Sequence, residues 1–202
     1  MACLIVLLYI GRKAIGGQTM TRAEAWEILN EYTKNPNLIK HALAVEAGMR
    51  AYAEKFGEDV ETWSVVGLLH DFDYEKYPTA EDHPYRGAEI LRQKGVDEAL
   101  IKAMMSHAEY TGVPRDTKMA KTLFAVDELA GFITAVALVR PDKKIATVTP
   151  HSVLKKFKQK AFAAQVSRED ITKGAEELGV ELSEHIGVVI AAMTKIASEL
   201  GL

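Results

Sequence analysis

The stretch from Thr117 to Val139 constrains this chain more than any other. It has helical length and is apolar nearly all the way round, with Leu123, Phe124, Val126, Leu129, Phe132, Ile133, Val136 and Leu138 and a single Asp127 near its middle. A helix that is hydrophobic on every side has to be enclosed by other elements. An ionised carboxylate at its centre is costly unless a cation or a hydrogen-bonding partner meets it. Glu128, next to it, is expected to point to a different side.

The rest of the sequence offers helices to do the enclosing. From Thr21 onward apolar residues recur at three and four positions, and no run keeps the alternation of a half-buried strand, so the fold is expected to be all-α. Thr21-Arg22-Ala23-Glu24 is a capping box that starts a helix over about 21 to 34. Asn35-Pro36 opens a second, with Leu38, Ala42, Val45, Met49, Tyr52 and Phe56 on one face, and Gly57 ends it. A third runs over roughly 59 to 71 and carries His70. His83-Pro84 starts another, Asp97 caps the next, and Thr111-Gly112-Val113-Pro114 breaks it. Beyond Arg140-Pro141, helices are expected from Thr149-Pro150, Ser167 and Ser183, as packing partners or a lid for the preceding core.

With 202 residues, 48% of them hydrophobic, one ordinary domain over residues 20–202 accounts for the chain, its core about 21–140 and its C-terminal helices 141–202. The net charge of -3 speaks against a general nucleic-acid or acidic-membrane binder, so any phosphate binding has to be local. The single cysteine, Cys3, rules out an internal disulfide framework and a cysteine-based zinc cage, and it suits a reducing cytoplasm. Ala2 to Ile10 is an apolar run about half the ~20 residues needed to span a bilayer. No lysine or arginine precedes it and Arg12-Lys13 follows, so residues 1–19 are expected to be an extension ahead of the domain and not a targeting segment.

Ligand-type residues recur through the expected core: His41, His70-Asp71, His83, His107 and Asp127. Imidazole and carboxylate together suit divalent manganese, iron, cobalt, nickel or zinc. His41, His70, Asp71 and Asp127 can hold one ion and leave positions for water and substrate, as hydrolysis requires. His83 and His107 suffice for a second ion, with Asp71 bridging, or they orient a phosphate. One ion is the primary expectation. Asp71 and His107 are counted with the chemistry on this reading, and Asp73 is either a partner of a ligand or a general acid/base.

The pattern H…HD…D formed by His41, His70-Asp71 and Asp127 on helices resembles the HD-domain superfamily of metal-dependent phosphohydrolases, over about residues 21 to 140. The resemblance implies an all-α fold and hydrolysis of a phosphoester, with a nucleotide as the leading substrate. His83-Pro84-Tyr85-Arg86-Gly87-Ala88-Glu89-Ile90-Leu91 is similar to the H-P-x-x-G-x-x-I-L segment of HD-GYP cyclic-dinucleotide phosphodiesterases, whose histidine serves a second metal. Ser106-His107-Ala108 and Gly112-Val113-Pro114 depart from that subfamily, lacking a second histidine and the G-Y-P tripeptide, which disfavours cyclic dinucleotides. Four histidines with two aspartates also resemble the ligand sets of dinuclear-iron nucleotide hydrolases and of diiron oxygenases such as myo-inositol oxygenase. The whole chain, with His70-Asp71-Phe72-Asp73-Tyr74-Glu75 and the later Val139-Arg140-Pro141-Asp142-Lys143-Lys144, looks most like small bacterial HDIG-type hydrolases.

Arg140, Lys118 and Lys121 are the candidates for substrate phosphate. The lysines at 155, 156, 158 and 160 are expected to be mostly a solvated face. His151 and His185 lie near expected helix starts and are given no site role. The alternatives to phosphoester hydrolysis are a diiron oxygenase and a non-catalytic nucleotide-binding module.

Overall fold

The computed structural model describes residues 20–202. The apolar run at the N-terminus therefore lies outside the described residues. Among those described there is no strand, and ten helices follow one another: α1 (Arg22–Tyr32), α2 (Pro36–Phe56), α3 (Val60–Leu69), α4 (Tyr85–Gln93), α5 (Glu98–Met105), α6 (Lys118–Leu138), α7 (Pro150–Phe157), α8 (Arg168–Leu178), α9 (Leu182–Lys195) and α10 (Ala197–Leu200). No described helix is long and apolar enough to cross a membrane.

The helix ends follow their local chemistry. The capping box closes on itself, Thr21 accepting from the Glu24 amide while Glu24 accepts from Thr21. Asn35 caps α2 with Pro36 at its first position, and Gly57 ends it at φ 68°, a left-handed conformation that favours glycine. Two starts differ from expectation. Pro84 is the cap of α4, so the helix begins one residue later, at Tyr85. Glu181 rather than Ser183 caps α9, its side chain accepting from the Glu184 amide.

The α6 helix is the central post. Leu123, Val126, Leu129, Ala130, Phe132 and Ile133 are fully buried, and α2, α8, α5, α7 and α9 pack around it. Two glycines let helix backbones approach each other closely. A Cβ on Gly67 of α3 would stand 2.9 Å from the Glu46 Cα of α2, and one on Gly174 of α8 would stand 2.6 Å from the Ala125 Cα of α6. Both distances are too short for a carbon, so only glycine lets these helices meet.

His185, expected near a helix start with no site role, stands at the fourth position of α9 and is buried in the core. Its Nε2 donates to the Ala125 carbonyl at 2.8 Å, and its Nδ1 lies 2.6 Å from the Tyr52 hydroxyl, tying α9 to α6 and α2.

Candidate metal centre

Helix ends deliver most of the ligand-type side chains. His41 projects from α2 and Asp127 from the middle of α6. His70 and Asp71 follow immediately after α3, which stops at Leu69. Adjacent residues inside a helix point about 100° apart, and the turn that begins at His70 frees both to face one point. His83 lies two residues before α4, and His107 two residues after α5.

These six residues converge. His41 Nε2 is 2.9 Å and His70 Nε2 3.4 Å from Asp127 Oδ1. His70 Nε2 is also 3.5 Å from Asp71 Oδ2. The other oxygen of Asp71, Oδ1, lies 3.0 Å from His107 Nε2 and 3.2 Å from His83 Nε2. Two groups with metal-site spacing result, His41–His70–Asp71 and Asp71–His83–His107, and they share Asp71.

The backs of the rings decide which nitrogens are free. His70 Nδ1 donates to the Gly67 carbonyl at 2.8 Å, and His107 Nδ1 donates to the Met104 carbonyl at 2.6 Å. A carbonyl can only accept, so each of these nitrogens carries a hydrogen, and each neutral ring presents a bare Nε2 to the centre. His83 Nδ1 is held in the same way at 2.8 Å by Asp73 Oδ1. Tying the far nitrogen of an imidazole to a carbonyl or carboxylate is how metal-binding histidines are oriented.

The consequence is an accumulation of acceptors. The Nε2 atoms of His83 and His107 stand 3.3 Å apart, with Asp71 Oδ1 beside both. His70 Nε2 and Asp71 Oδ1 are buried without a hydrogen-bond partner. Lone pairs gathered this closely, away from water, repel unless a cation sits among them. With protons as the only cations, the imidazoles are driven to take them up. Burial opposes charge on His83, yet the Asp71 and Asp73 carboxylates lift it to about 9. His70 and His107 are raised by Asp71 and Asp127 against the same burial penalty. Asp71 and Asp127, equally penalised by burial, are held well below the usual carboxylate range, with His70 the leading cause for both. The donor set therefore fits a divalent transition metal, and the shared Asp71 fits two.

Asp73 is 1% exposed. Its Oδ1 faces His83 and its Oδ2 accepts from the Gly87 amide at 2.8 Å. Of the two roles expected for it, the position suits holding a ligand; the carboxylate is turned away from the space where an acid/base would work.

A cavity of about 470 Å³ opens over the cluster, lined by His41, Asp71, His83, His107 and Asp127 and, further out, by Tyr74, Tyr110, Phe124, Glu128, Gly131 and Asp170. The phosphate candidates are elsewhere. Arg140 Nε donates to Thr147 Oγ1 at 2.9 Å and pairs with Asp142 at 3.4 Å. At 1.5 Å per residue it lies about 20 Å along the chain direction from Asp127. Lys118, some 13 Å the other way by the same rise, pairs with Glu58 at 3.4 Å and sits over the Phe56 ring. Lys121 lines a separate surface groove with Arg115 and Glu177. Among the described residues, neither a lysine nor an arginine lines the cavity itself.

Glu128 and Tyr110 are among the cavity residues that sequence reasoning misses. Glu128 does not point away: it lines the cavity, accepts from the Ser167 amide at 3.2 Å, and is pushed up to about 7 by burial and by Asp127. A second carboxylate in an apolar helix is the available signal, the same one that singles out Asp127. Tyr110 donates its hydroxyl to the His83 carbonyl at 2.8 Å and forms part of the wall. No spacing rule points to it, because it sits on an isolated turn at Glu109–Thr111.

An all-helical core that gathers histidines and aspartates at one point presents two groups that could hold a metal ion. The family model described as HD domain matches residues 38–131, and that stretch of the chain carries an HD domain. The matched span includes all six converging residues. No solved structure matches the chain at a significant level.

Proposed function

We propose that the protein is a metal-dependent phosphomonoester hydrolase acting on a small metabolite, a nucleotide foremost. The observation that carries this reading is the knot of Asp71 Oδ1, His83 Nε2 and His107 Nε2, acceptors within 3.3 Å of one another with the far nitrogens of both rings already engaged. His41, His70, Asp71 and Asp127 would hold one divalent ion, and Asp71, His83 and His107 a second. What such ions supply is Lewis acidity: a water acidic enough to attack phosphorus near neutral pH, and positive charge against the phosphoryl oxygens.

The chain's own residues set the geometry for that chemistry. The Gly67 and Met104 carbonyls and the Asp73 carboxylate fix three imidazoles, so the centre is organised before substrate arrives. Tyr110 pins the backbone that carries His83. Among the described residues the lining offers no fixed cation apart from the cluster, and it includes Glu128 and Asp170. A polyphosphate chain would meet carboxylates there, whereas a single phosphate can be matched at the cluster alone, which favours monoesters.

The test is metal analysis of protein purified without added metal, followed by phosphate release from monophosphates and triphosphates, in air and anaerobically. Release from monophosphates under both conditions is expected. The sharing of Asp71 between two triads equally suits a diiron oxygenase, and turnover that needs oxygen and releases no phosphate would replace the hydrolase reading with that one. Ligand binding without any turnover would make the protein a binding module.

A further inference from the structure

The cavity over the cluster has a neighbour on the side of His41. A second cavity of about 270 Å³ lies there, and His41 and Gly131 line both. Gly131 sits deep inside α6, where glycine weakens a helix relative to alanine. Packing gives no reason for it, because a Cβ on Gly131 would meet nothing within 4 Å. Gly67 and Gly174 are the contrast, each pressed against neighbouring backbone. At Gly131, which lines both cavities, the missing side chain leaves open space among the described residues.

The second cavity differs in character from the first. Leu138 and Leu200 give it apolar walls, and Lys40 and Asn37 from the start of α2 give it a cation and an amide. Lys40 takes part in no ion pair among the described residues. A group suited to this space has apolar faces and hydrogen-bond acceptors along one edge.

We infer that the substrate lies across Gly131, its phosphate at the metal cluster and a ring-bearing, acceptor-edged organic group in the second cavity, with Gly131 as the residue that decides how large that group can be. The placement of the phosphate rests on the hydrolase reading; the second subsite can be tested apart from it.

The experiment is calorimetric binding of a panel of nucleoside 5′-monophosphates and of inorganic phosphate to the metal-loaded wild type and to Gly131→Ala, Gly131→Val and Lys40→Ala. The wild type is expected to bind at least one nucleotide more tightly than inorganic phosphate. Gly131→Val and Lys40→Ala are expected to weaken that nucleotide tenfold or more, with inorganic phosphate changed less than twofold. Gly131→Ala is expected to raise Tm while weakening the nucleotide, a combination that a purely structural role for the glycine would not produce. Equal effects on nucleotide and phosphate, or no effect on either, overturn the inference, as does a wild type that binds no nucleotide better than phosphate. A nucleotide that binds in this way yet is never hydrolysed leaves the subsite standing and removes the hydrolase reading.

Discussion

Asp73 holds His83 from behind, with its Oδ1 2.8 Å from His83 Nδ1 while its Oδ2 accepts from the Gly87 amide at 2.8 Å. The pair sets the direction of the His83 Nε2 without Asp73 itself reaching the cavity. Asp73→Ala is expected to weaken one of two bound ions by roughly 10- to 100-fold, the usual effect of losing such a support. Stoichiometric metal titration checks this; affinity equal to the wild type at both sites would show that His83 needs no support.

Asp71 is the one side chain common to both triads. Asp71→Ala is expected to lose both ions together and to release no phosphate from any monoester. In the wild type, manganese or zinc at roughly 100 times its dissociation constant should stabilise the fold by about 2.7 kcal/mol. Thermal melts with and without a chelator measure this, and Asp71→Ala should melt at the same temperature in both.

His185 predicts a pH dependence. Burial lowers its pKa below the ordinary value, and in the neutral form both ring nitrogens are satisfied, one by Ala125 and one by Tyr52. The unfolded chain therefore binds a proton more readily than the folded one. The stability His185 contributes is present above about pH 6.5, the unfolded value, and is lost as the pH falls below it. His185→Leu should cost about 2 kcal/mol at pH 7 by stranding the buried Tyr52 hydroxyl and removing the bond to the Ala125 carbonyl. At pH 5 that cost should shrink, since only the wild type is penalised by protonation; urea unfolding at the two pH values gives the comparison.

Gly174→Ala should destabilise by about 1–3 kcal/mol, because its Cβ would strike the α6 backbone at Ala125. Gly131→Ala on the same partner helix should do the opposite. Paired chemical denaturation curves would expose the difference, and a neutral Gly174→Ala would mean that α8 can move off α6 at no cost.

Much of the centre is legible in the sequence because it violates the pattern around it. Asp127 is a charge in an apolar helix, and His70-Asp71 ends an apolar run, so each demands a partner on chemical grounds alone. The all-helical fold follows from period and caps, and most helix starts fall within a residue or two of their capping signals. What is not legible depends on direction and distance. Arg140 and Lys118 belong to or adjoin the helix that carries Asp127, but its rise takes them far from the cavity in opposite directions. Glu128 is offset by 100° from Asp127, which would turn it away from a narrow site, yet a cavity this wide spans that angle. His185 and Tyr110 make their contacts with residues remote in sequence, His185 with Tyr52 and Ala125 and Tyr110 with His83, and no local pattern announces such partners.

His41 and Asp127 meet across 86 positions of sequence, and between them the turn after α3, the segment before α4 and the end of α5 each contribute to the same point. Five separate stretches have to be threaded into register before an ion can be seated. A cobalt-loaded sample would therefore show its ligand-field colour only when the native topology is complete. That absorption band would act as an assay of topology, able to distinguish a chain that merely has its helices from one that has arranged them.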